Sequence, residues 1–304
     1  MSISRKEFLK ACTLFTGGFF IKSSSLLGQL QEKKDGFITL RDNYGIYLER
    51  GGTIAWYVTP DAVVVIDSQF PDTAKNFIAS LQKITTRKID ILFNTHHHAD
   101  HTSGNVYLKD FTSKIVAHEN CVEFQKKAYG NDPAKPQVYA DTVFKTSWSA
   151  AIGKEKITAK YYGPGHTGGD SVIHFENANI VHVGDLVFNR ISPYIDLNGG
   201  GSILNWINVL DSIAKYYPKE TLYIFGHGIT NEFVTGSVKD VLLMRDYLSA
   251  LKDLVSSGIK SGKTKEQITT ADEIPGFKDI KEMRPGMRKM SLERTYDELS
   301  ENKN

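Results

Sequence analysis

Seven consecutive residues, Thr95-His96-His97-His98-Ala99-Asp100-His101, constrain this chain more than any other stretch. Four of the seven are histidine and one is a carboxylate. They follow the apolar run Ile89-Asp90-Ile91-Leu92-Phe93-Asn94, which reads as a buried strand. The side chains therefore project from the end of a rigid element into a loop. Imidazole and carboxylate are the donors that suit zinc and related divalent ions. In extended chain, residues two apart share a face, so His96 and His98 can hold one ion while His97 points away. Asp100 and His101 lie past the strand end and can turn toward a second ion.

The segments around this motif predict a mixed architecture. Short strand-like runs at 37–40, 44–48, 53–58 and 62–66 are separated by turn signals at Arg41-Asp42-Asn43, Gly51-Gly52 and Thr59-Pro60-Asp61, the pattern of an antiparallel meander. Pro71-Asp72 opens a helix through 84, with Phe77, Ile78, Leu81 and Ile84 at helical spacing. Beyond the histidine motif, helix and strand alternate. Helices are expected at 104–108, 119–128, 203–216, 237–255 and 292–299, and strands at 115–117, 143–146, 157–162, 171–175, 180–183 and 222–225, with an irregular loop at 129–141. Strands first and helix–strand alternation afterwards are consistent with an α/β sandwich of two sheets.

Further candidate ligands follow three of the later strands. Gly163-Pro164-Gly165-His166-Thr167-Gly168-Gly169-Asp170 is a glycine-rich loop that can turn His166 back toward the motif. Val183-Gly184-Asp185 places a carboxylate at a strand end, and Phe225-Gly226-His227-Gly228 places a glycine-flanked histidine at another. Side chains at strand ends can converge from distant sequence. His174 and His182 sit inside strand patterns and read as structural, as does His118. Asn94 and Thr95 serve loop geometry, and Cys121 is a small buried residue.

Composition excludes some classes. The net charge of +2 is too small to imply nucleic acid, and no apolar run is long enough to span a membrane. The only cysteines are Cys12 and Cys121, so no structural disulfide is expected. Residues 1–10 are polar and basic, 11–21 form a short apolar core, and Ser23-Ser24-Ser25 offers small residues for cleavage. This is signal-peptide architecture. Ser4-Arg5-Lys6-Glu7-Phe8-Leu9-Lys10 is similar to the twin-arginine export motif, with Lys6 in place of the second arginine. Residues 1–28 are thus expected to be a cleaved signal, 29–304 a single domain with a helical C-terminal tail, and the mature protein periplasmic.

Taken together, Asp67, His96-x-His98-x-Asp100-His101, His166, Asp185 and His227 resemble the signatures of the metallo-β-lactamase-fold superfamily, over roughly residues 44–231. The resemblance implies an αββα sandwich of two mixed β-sheets flanked by helices, with a two-metal site at one edge of the sheets. By that match His96, His98 and His166 would hold one zinc ion, Asp100, His101 and His227 a second, and Asp185 would bridge them. Iron or manganese are alternatives. Asp67 would accept hydrogen bonds that set the motif loop.

The implied chemistry is hydrolysis by a bridging hydroxide, with Asp100 orienting the nucleophile as well as binding metal. Ester, lactone, thioester and amide bonds are candidate targets in a small-molecule substrate. Asp185 differs from the cysteine or serine of β-lactamases and looks more like the glyoxalase II and lactonase branches. The segment Phe188-Asn189-Arg190-Ile191-Ser192-Pro193-Tyr194-Ile195-Asp196 is similar to exported bacterial hydrolases associated with quinoprotein relay systems. Phe188 and Tyr194 could wall the substrate, Arg190 could meet a substrate carboxylate, and Gly51-Gly52 could border the site. Open alternatives are β-lactam hydrolysis by the same site, an iron-dependent oxidoreductase of the persulfide dioxygenase type, and a non-catalytic metal-binding accessory protein. The oligomeric state is left open.

Overall fold

Two β-sheets face each other and carry helices on their outer surfaces in the computed structural model, which describes residues 36–130 and 132–301. The expected signal segment lies outside the described residues. The first sheet has seven strands in sequence order: β1 (Phe37–Arg41), β2 (Tyr44–Tyr47), β3 (Ile54–Val58), β4 (Val63–Ile66), β5 (Ile91–Asn94), β6 (Ile115–His118) and β7 (Thr142–Phe144). The first four pair antiparallel as a meander, and β4 to β7 pair parallel. Parallel pairing requires crossovers. Helix α1 (Pro71–Leu81) lies on the β4–β5 crossover, α2 (Ala99–Thr102) and α3 (Asn105–Leu108) on the next, and α4 (Glu119–Tyr129) on the last.

The second sheet has the order β15-β13-β11-β10-β9-β8. Its strands are β8 (Ser147–Ile152), β9 (Glu155–Tyr161), β10 (Ser171–Phe175), β11 (Ile180–His182), β13 (Leu222–Ile224) and β15 (Thr235–Gly236), and a separate parallel pair joins β12 (Phe188–Asn189) to β14 (His227–Gly228). Helix α5 (Ile203–Tyr216) precedes β13, and α6 (Val238–Lys260), α7 (Lys265–Thr269) and α8 (Met287–Glu301) complete the chain.

Burial explains the layers. Val63, Val64, Val65 and Ile66 of β4 are all fully buried, as a strand covered on both faces must be. The helix side is filled by Ala74, Phe77, Ile78 and Leu81 of α1 packing on Val63, Val65 and Leu92. Each large apolar side chain buried there contributes about 1.5–3 kcal/mol. Between the sheets, Phe175 of β10 meets Tyr57 of β3 at 6.0 Å, and Trp148 of β8 meets Phe93 of β5 at 5.4 Å between ring centroids. On the far side, Trp206, Leu210 and Ile213 of α5 join Tyr247, Leu248 and Leu251 of α6 in a second core.

The architecture is the sandwich expected, with local corrections. The strand anticipated at 143–146 ends early, at Phe144 of β7, which closes the first sheet, and β8, which opens the second, was not anticipated. The exposed–intermediate alternation of Ser147-Trp148-Ser149-Ala150-Ala151-Ile152 marks an edge strand with small and polar residues, which gives only a weak apolar signal. Helix α1 ends at Leu81, before Ile84, which is 54% exposed. Helices α6 and α8 run longer than expected, and the short helices α2 and α7 were not anticipated.

Candidate metal centre

All seven predicted ligands meet at one edge of the sandwich. They arise from the segments after β5 and β11, from the loop before β10, and from the start of β14. His96 and His98 follow β5 directly, and α2 then coils Asp100 and His101 back over the strand end. His166 Nε2 lies 2.9 Å, and His96 Nε2 3.2 Å, from His98 Nδ1. Asp185 Oδ2 is 3.8 Å from His96 Nε2 and 3.6 Å from His166 Nε2. A second group forms beside the first. Asp100 Oδ2 is 3.1 Å from His227 Nε2 and 3.7 Å from His101 Nε2. Asp185 faces this group too, with Oδ1 3.1 Å from His101 Nε2 and Oδ2 3.4 Å from His227 Nε2. Within each group the ligand atoms lie within 4.8 Å of one another.

The backbone makes room for this convergence at glycines. A Cβ on Gly226 would stand 1.9 Å from Asp185 Oδ1, and one on Gly52 would stand 2.2 Å from the His101 ring. Both contacts are far inside van der Waals range, so these positions cannot carry a side chain while the ligands stay in place.

Each ring is held from behind. His166 Nδ1 donates to the Tyr194 carbonyl at 2.7 Å, and His98 Nε2 lies 3.0 Å from Asp196 Oδ2. His96 Nδ1 contacts Thr95 Oγ1 at 3.0 Å, and that hydroxyl donates to Asp67 Oδ2 at 2.8 Å. The same Asp67 oxygen lies 2.7 Å from His101 Nδ1, and Asp67 Oδ1 accepts from the Thr95 amide at 2.8 Å. Asp67 is buried at φ +63°, a left-handed conformation that aspartate tolerates better than most residues. Outer contacts of this kind select the ring tautomer and aim the other nitrogen at a metal.

The electrostatics favour a cation at the centre. Burial pushes the His166 imidazole down to about 3, and burial and the His101 charge hold His96 well below the ordinary histidine range. Both rings are therefore neutral at neutral pH, as metal ligands must be. Burial also opposes charge on Asp185 and Asp100, yet the facing histidines hold both carboxyls below the usual range. Against its own burial, His101 is raised well above the ordinary value by Asp185, Asp67 and Asp100, and His227 is raised by Asp185 and Asp100. His101 Nε2 and Asp185 Oδ1 lie 3.1 Å apart without being aligned as a hydrogen bond, and neither buried atom has another hydrogen-bond partner among the described residues. Three imidazole nitrogens converging on one point likewise cannot all be satisfied by one another. Such orphaned donor atoms are costly unless a cation binds them, and the His/Asp donor set fits zinc, iron or manganese.

The site forms the floor of a cleft of about 990 Å³. Phe188, Tyr194 and Gly51 line it. Arg190 does not: its Nη2 is 3.7 Å from Asp240 Oδ1 and its guanidinium lies 5.0 Å from the Phe233 ring. A φ of +63° at Arg190 turns its side chain out of line with those of its neighbours. His97 also departs from expectation. It lines the cleft, and its Nε2 lies 3.4 Å from the Asp196 oxygen that holds His98. Asp196 itself carried no special signal beyond being a carboxylate at the end of the segment after Asp185. Lys127 of α4 and Met283, Arg284 and Met287 near the C-terminus also reach the cleft; Arg284 stands in a basic stretch, with Lys281, Arg288 and Lys289, whose pattern by itself does not assign a role. His118 and His182 are structural, as expected. His118 accepts from the Asn120 amide at the start of α4, and His182 bonds the Thr53 carbonyl and the Gly184 amide. Cys121 is buried, and burial pushes its thiol up.

Comparison with known proteins agrees with this geometry. The family described as the Metallo-beta-lactamase superfamily matches residues 48–227, more than half of the chain. A metallo-beta-lactamase type 2 from Elizabethkingia meningoseptica is 26% identical over 197 residues, covering 62% of this chain and 76% of the relative. A hydroxyacylglutathione hydrolase from Bartonella henselae is 26% identical over 197 residues, covering 64% of this chain and 66% of the relative. Among solved structures, a metallo-beta-lactamase from Pontibacter korlensis shares the fold, with a TM-score of 0.61 at 16% identity over 73% of this chain and 99% of its own. With a family match over its central region and the His/Asp groups in place at the sheet edge, this chain belongs to the metallo-beta-lactamase superfamily.

Proposed function

We propose that this protein is a hydrolase with two zinc ions that cleaves an ester, lactone, thioester or amide bond in a small molecule. One observation carries the reading: Asp185 faces both ligand groups, with Oδ1 toward His101 and Oδ2 toward His96, His166 and His227. In the first group His96, His98 and His166 would hold one ion. In the second Asp100, His101 and His227 would hold the other, with Asp185 shared. When bound, such a pair supplies a hydroxide nucleophile at neutral pH and polarises the oxygen of the scissile bond.

The residues around it have separable tasks. Asp100 is the most exposed carboxylate of the two ligand groups, its side chain 30% accessible against 4% for Asp185. Held ionised by His101 and His227, it acts as a hydrogen-bond acceptor and orients a water molecule rather than donating a proton to it. Phe188 and Tyr194 exclude water from one side of the cleft floor. Export to the periplasm, with residues 1–28 removed, belongs to the same proposal and is tested by the N-terminal mass of protein recovered from its host.

Metal analysis of native protein, combined with turnover of lactones, thioesters, esters and β-lactams, tests the function. About two equivalents of zinc with turnover of one of the first three classes supports it. Preferential β-lactam turnover would favour the second reading, to which the Elizabethkingia relative points and against which a carboxylate at position 185 argues. Iron with persulfide-dependent oxygen consumption, or a loaded protein with no turnover, would replace the hydrolase by an oxidoreductase or an accessory protein.

A further inference from the structure

The inner face of the C-terminal helix α8 is partly polar. Ser291, Thr295 and Glu298 are buried on it together with Leu292. Positions 291, 295 and 298 stand four and three apart, so they lie in one row along the helix. A helix that only covered a core would bury apolar side chains there. Buried polar groups are tolerated where they find hydrogen-bond partners, and the partners show what the helix holds. The family match ends at residue 227, before this helix begins.

Ser291 and Glu298 hold the two ends of one loop. Ser291 Oγ donates to the Pro193 carbonyl at 2.5 Å. Two turns further along, Glu298 Oε1 accepts from Ser202 Oγ at 2.6 Å and Oε2 accepts from the Ile203 amide at 2.7 Å, with the Leu204 amide 3.4 Å from Oε1. These donors open α5, where the first amides have no acceptor within their own helix. A carboxylate at that end also complements the helix dipole. Thr295 bonds back to the Ser291 carbonyl within α8 and reaches no loop.

Between the two anchors lie the groups that aim two histidines of the first ligand group. The Tyr194 carbonyl accepts from His166 Nδ1, and Asp196 Oδ2 faces His98 Nε2. The first turn of α5 reaches His166 from the other side as well. The Ser202 amide donates to the Gly165 carbonyl at 2.9 Å, and Asn205 Nδ2 donates to the Pro164 carbonyl at 2.6 Å. The Trp206 ring lies 5.6 Å from the His166 ring between centroids. In the second ligand group His101 is held instead by Asp67, and His227 by the pairing of β14 with β12.

We infer that Glu298 is a positioning residue for the first ion. By fixing the start of α5 it sets the direction of His166 and, through the loop between Pro193 and Ser202, that of His98. The inference rests on the two-ion reading above and adds a residue that is not itself a metal ligand and tunes one ion without the other.

Stepwise zinc titration of the full chain against a chromogenic competitor tests this. His166→Ala and His227→Ala, which each remove one ligand, assign the steps to the first and second groups. Glu298→Ala should weaken the first ion about tenfold and leave the second within about twofold of native. Ser202→Ala removes one of the contacts and should show the same selectivity at smaller size, which keeps the test open if Glu298→Ala does not fold. Glu298→Gln should hold the first ion better than Glu298→Ala does. Its amide oxygen can accept from Ile203 while its amide group donates to Ser202 Oγ. Leu248→Ala, a cavity in the core between α5 and α6, should lower the melting temperature of metal-free protein and keep the native ratio of the two affinities. Equal losses at both sites, an unchanged first site, a Glu298→Gln variant no better than Glu298→Ala, or the same selectivity in Leu248→Ala would overturn the proposal. A native chain that takes up a single ion would end the two-ion reading. The positioning would then stand if Glu298→Ala weakened that ion about tenfold and fall if it did not.

Discussion

Asp67 Oδ2 lies 2.7 Å from His101 Nδ1, in the second ligand group, and through the Thr95 hydroxyl the same oxygen reaches His96 in the first. One buried carboxylate thus orients a ring in each group. Asp67→Ala should weaken both metal sites, by about 10–100-fold for the directly held second one. Thr95→Val should weaken the first more than the second. Zinc titration with a chromogenic competitor checks both, and equal effects of the two variants on the two sites would remove this division of labour.

Asp196 plays the matching part for His98, at 3.0 Å from its Nε2. Asp196→Ala should lower affinity for the first ion by about 10-fold or more and leave the second closer to native. His97→Ala, which removes the other histidine on the same oxygen, should have a smaller effect. A first site untouched by Asp196→Ala would make that contact incidental.

Asp185→Asn should discriminate between the ions in the opposite direction. The first group keeps three histidines without it, and the second keeps Asp100, His101 and His227 with less negative charge. Zinc titration should show one site retained and one weakened, with turnover falling alongside the second. Two unaltered binding steps would take Asp185 out of the metal shell.

Gly226→Ala forces a Cβ to within 1.9 Å of Asp185 Oδ1. The strand end or the carboxylate must move, at a cost on the order of 1–3 kcal/mol. Thermal denaturation should show the loss, and the variant should retain less than the native zinc content. Native stability and metal content together would mean that the β13 end is far softer than its packing indicates.

Asp170 provides a pH test at a buried carboxyl outside the ligand set. Burial pushes its carboxyl up to about 7, although Thr167 donates to it from both amide and hydroxyl. A folded value above the unfolded one means that the proton is bound more tightly in the native state. The stability this contributes is complete below about 4 and is lost as pH rises toward about 7. Melting temperatures of metal-free protein compared with Asp170→Asn should therefore diverge across that window, the native chain losing more stability on the way up. Parallel curves would show that Asp170 stays ionised throughout.

How much of this was legible in the residue order depends on the range of the interaction involved. The ligands were readable because each stands at the end of an apolar run or in a glycine turn, and strands in one sheet deliver their ends to one edge. Local periodicity put His96, His98, Asp100, His101, His166, Asp185 and His227 at or near strand ends, and the resemblance to the superfamily implied that they act as one set with Asp67 behind them. The sandwich itself followed from the same patterns, except at 142–152, where small and polar residues hid the passage from one sheet to the other.

Tertiary structure decided what surrounds the ligands. Asp196 meets His98 across 98 residues of sequence, so no local pattern could pair them. Arg190 sat where a substrate-binding cation was expected, but one left-handed backbone angle sends it to Asp240 instead. Arg284 reaches the cleft from outside the family-matched region, because backbone hydrogen bonds tie its segment to the loop after Asp185. Strand periodicity is a local property and is written in the order of residues. The path of a loop and the neighbour it meets depend on the closed globule, and here they determine the charge and shape of the cleft.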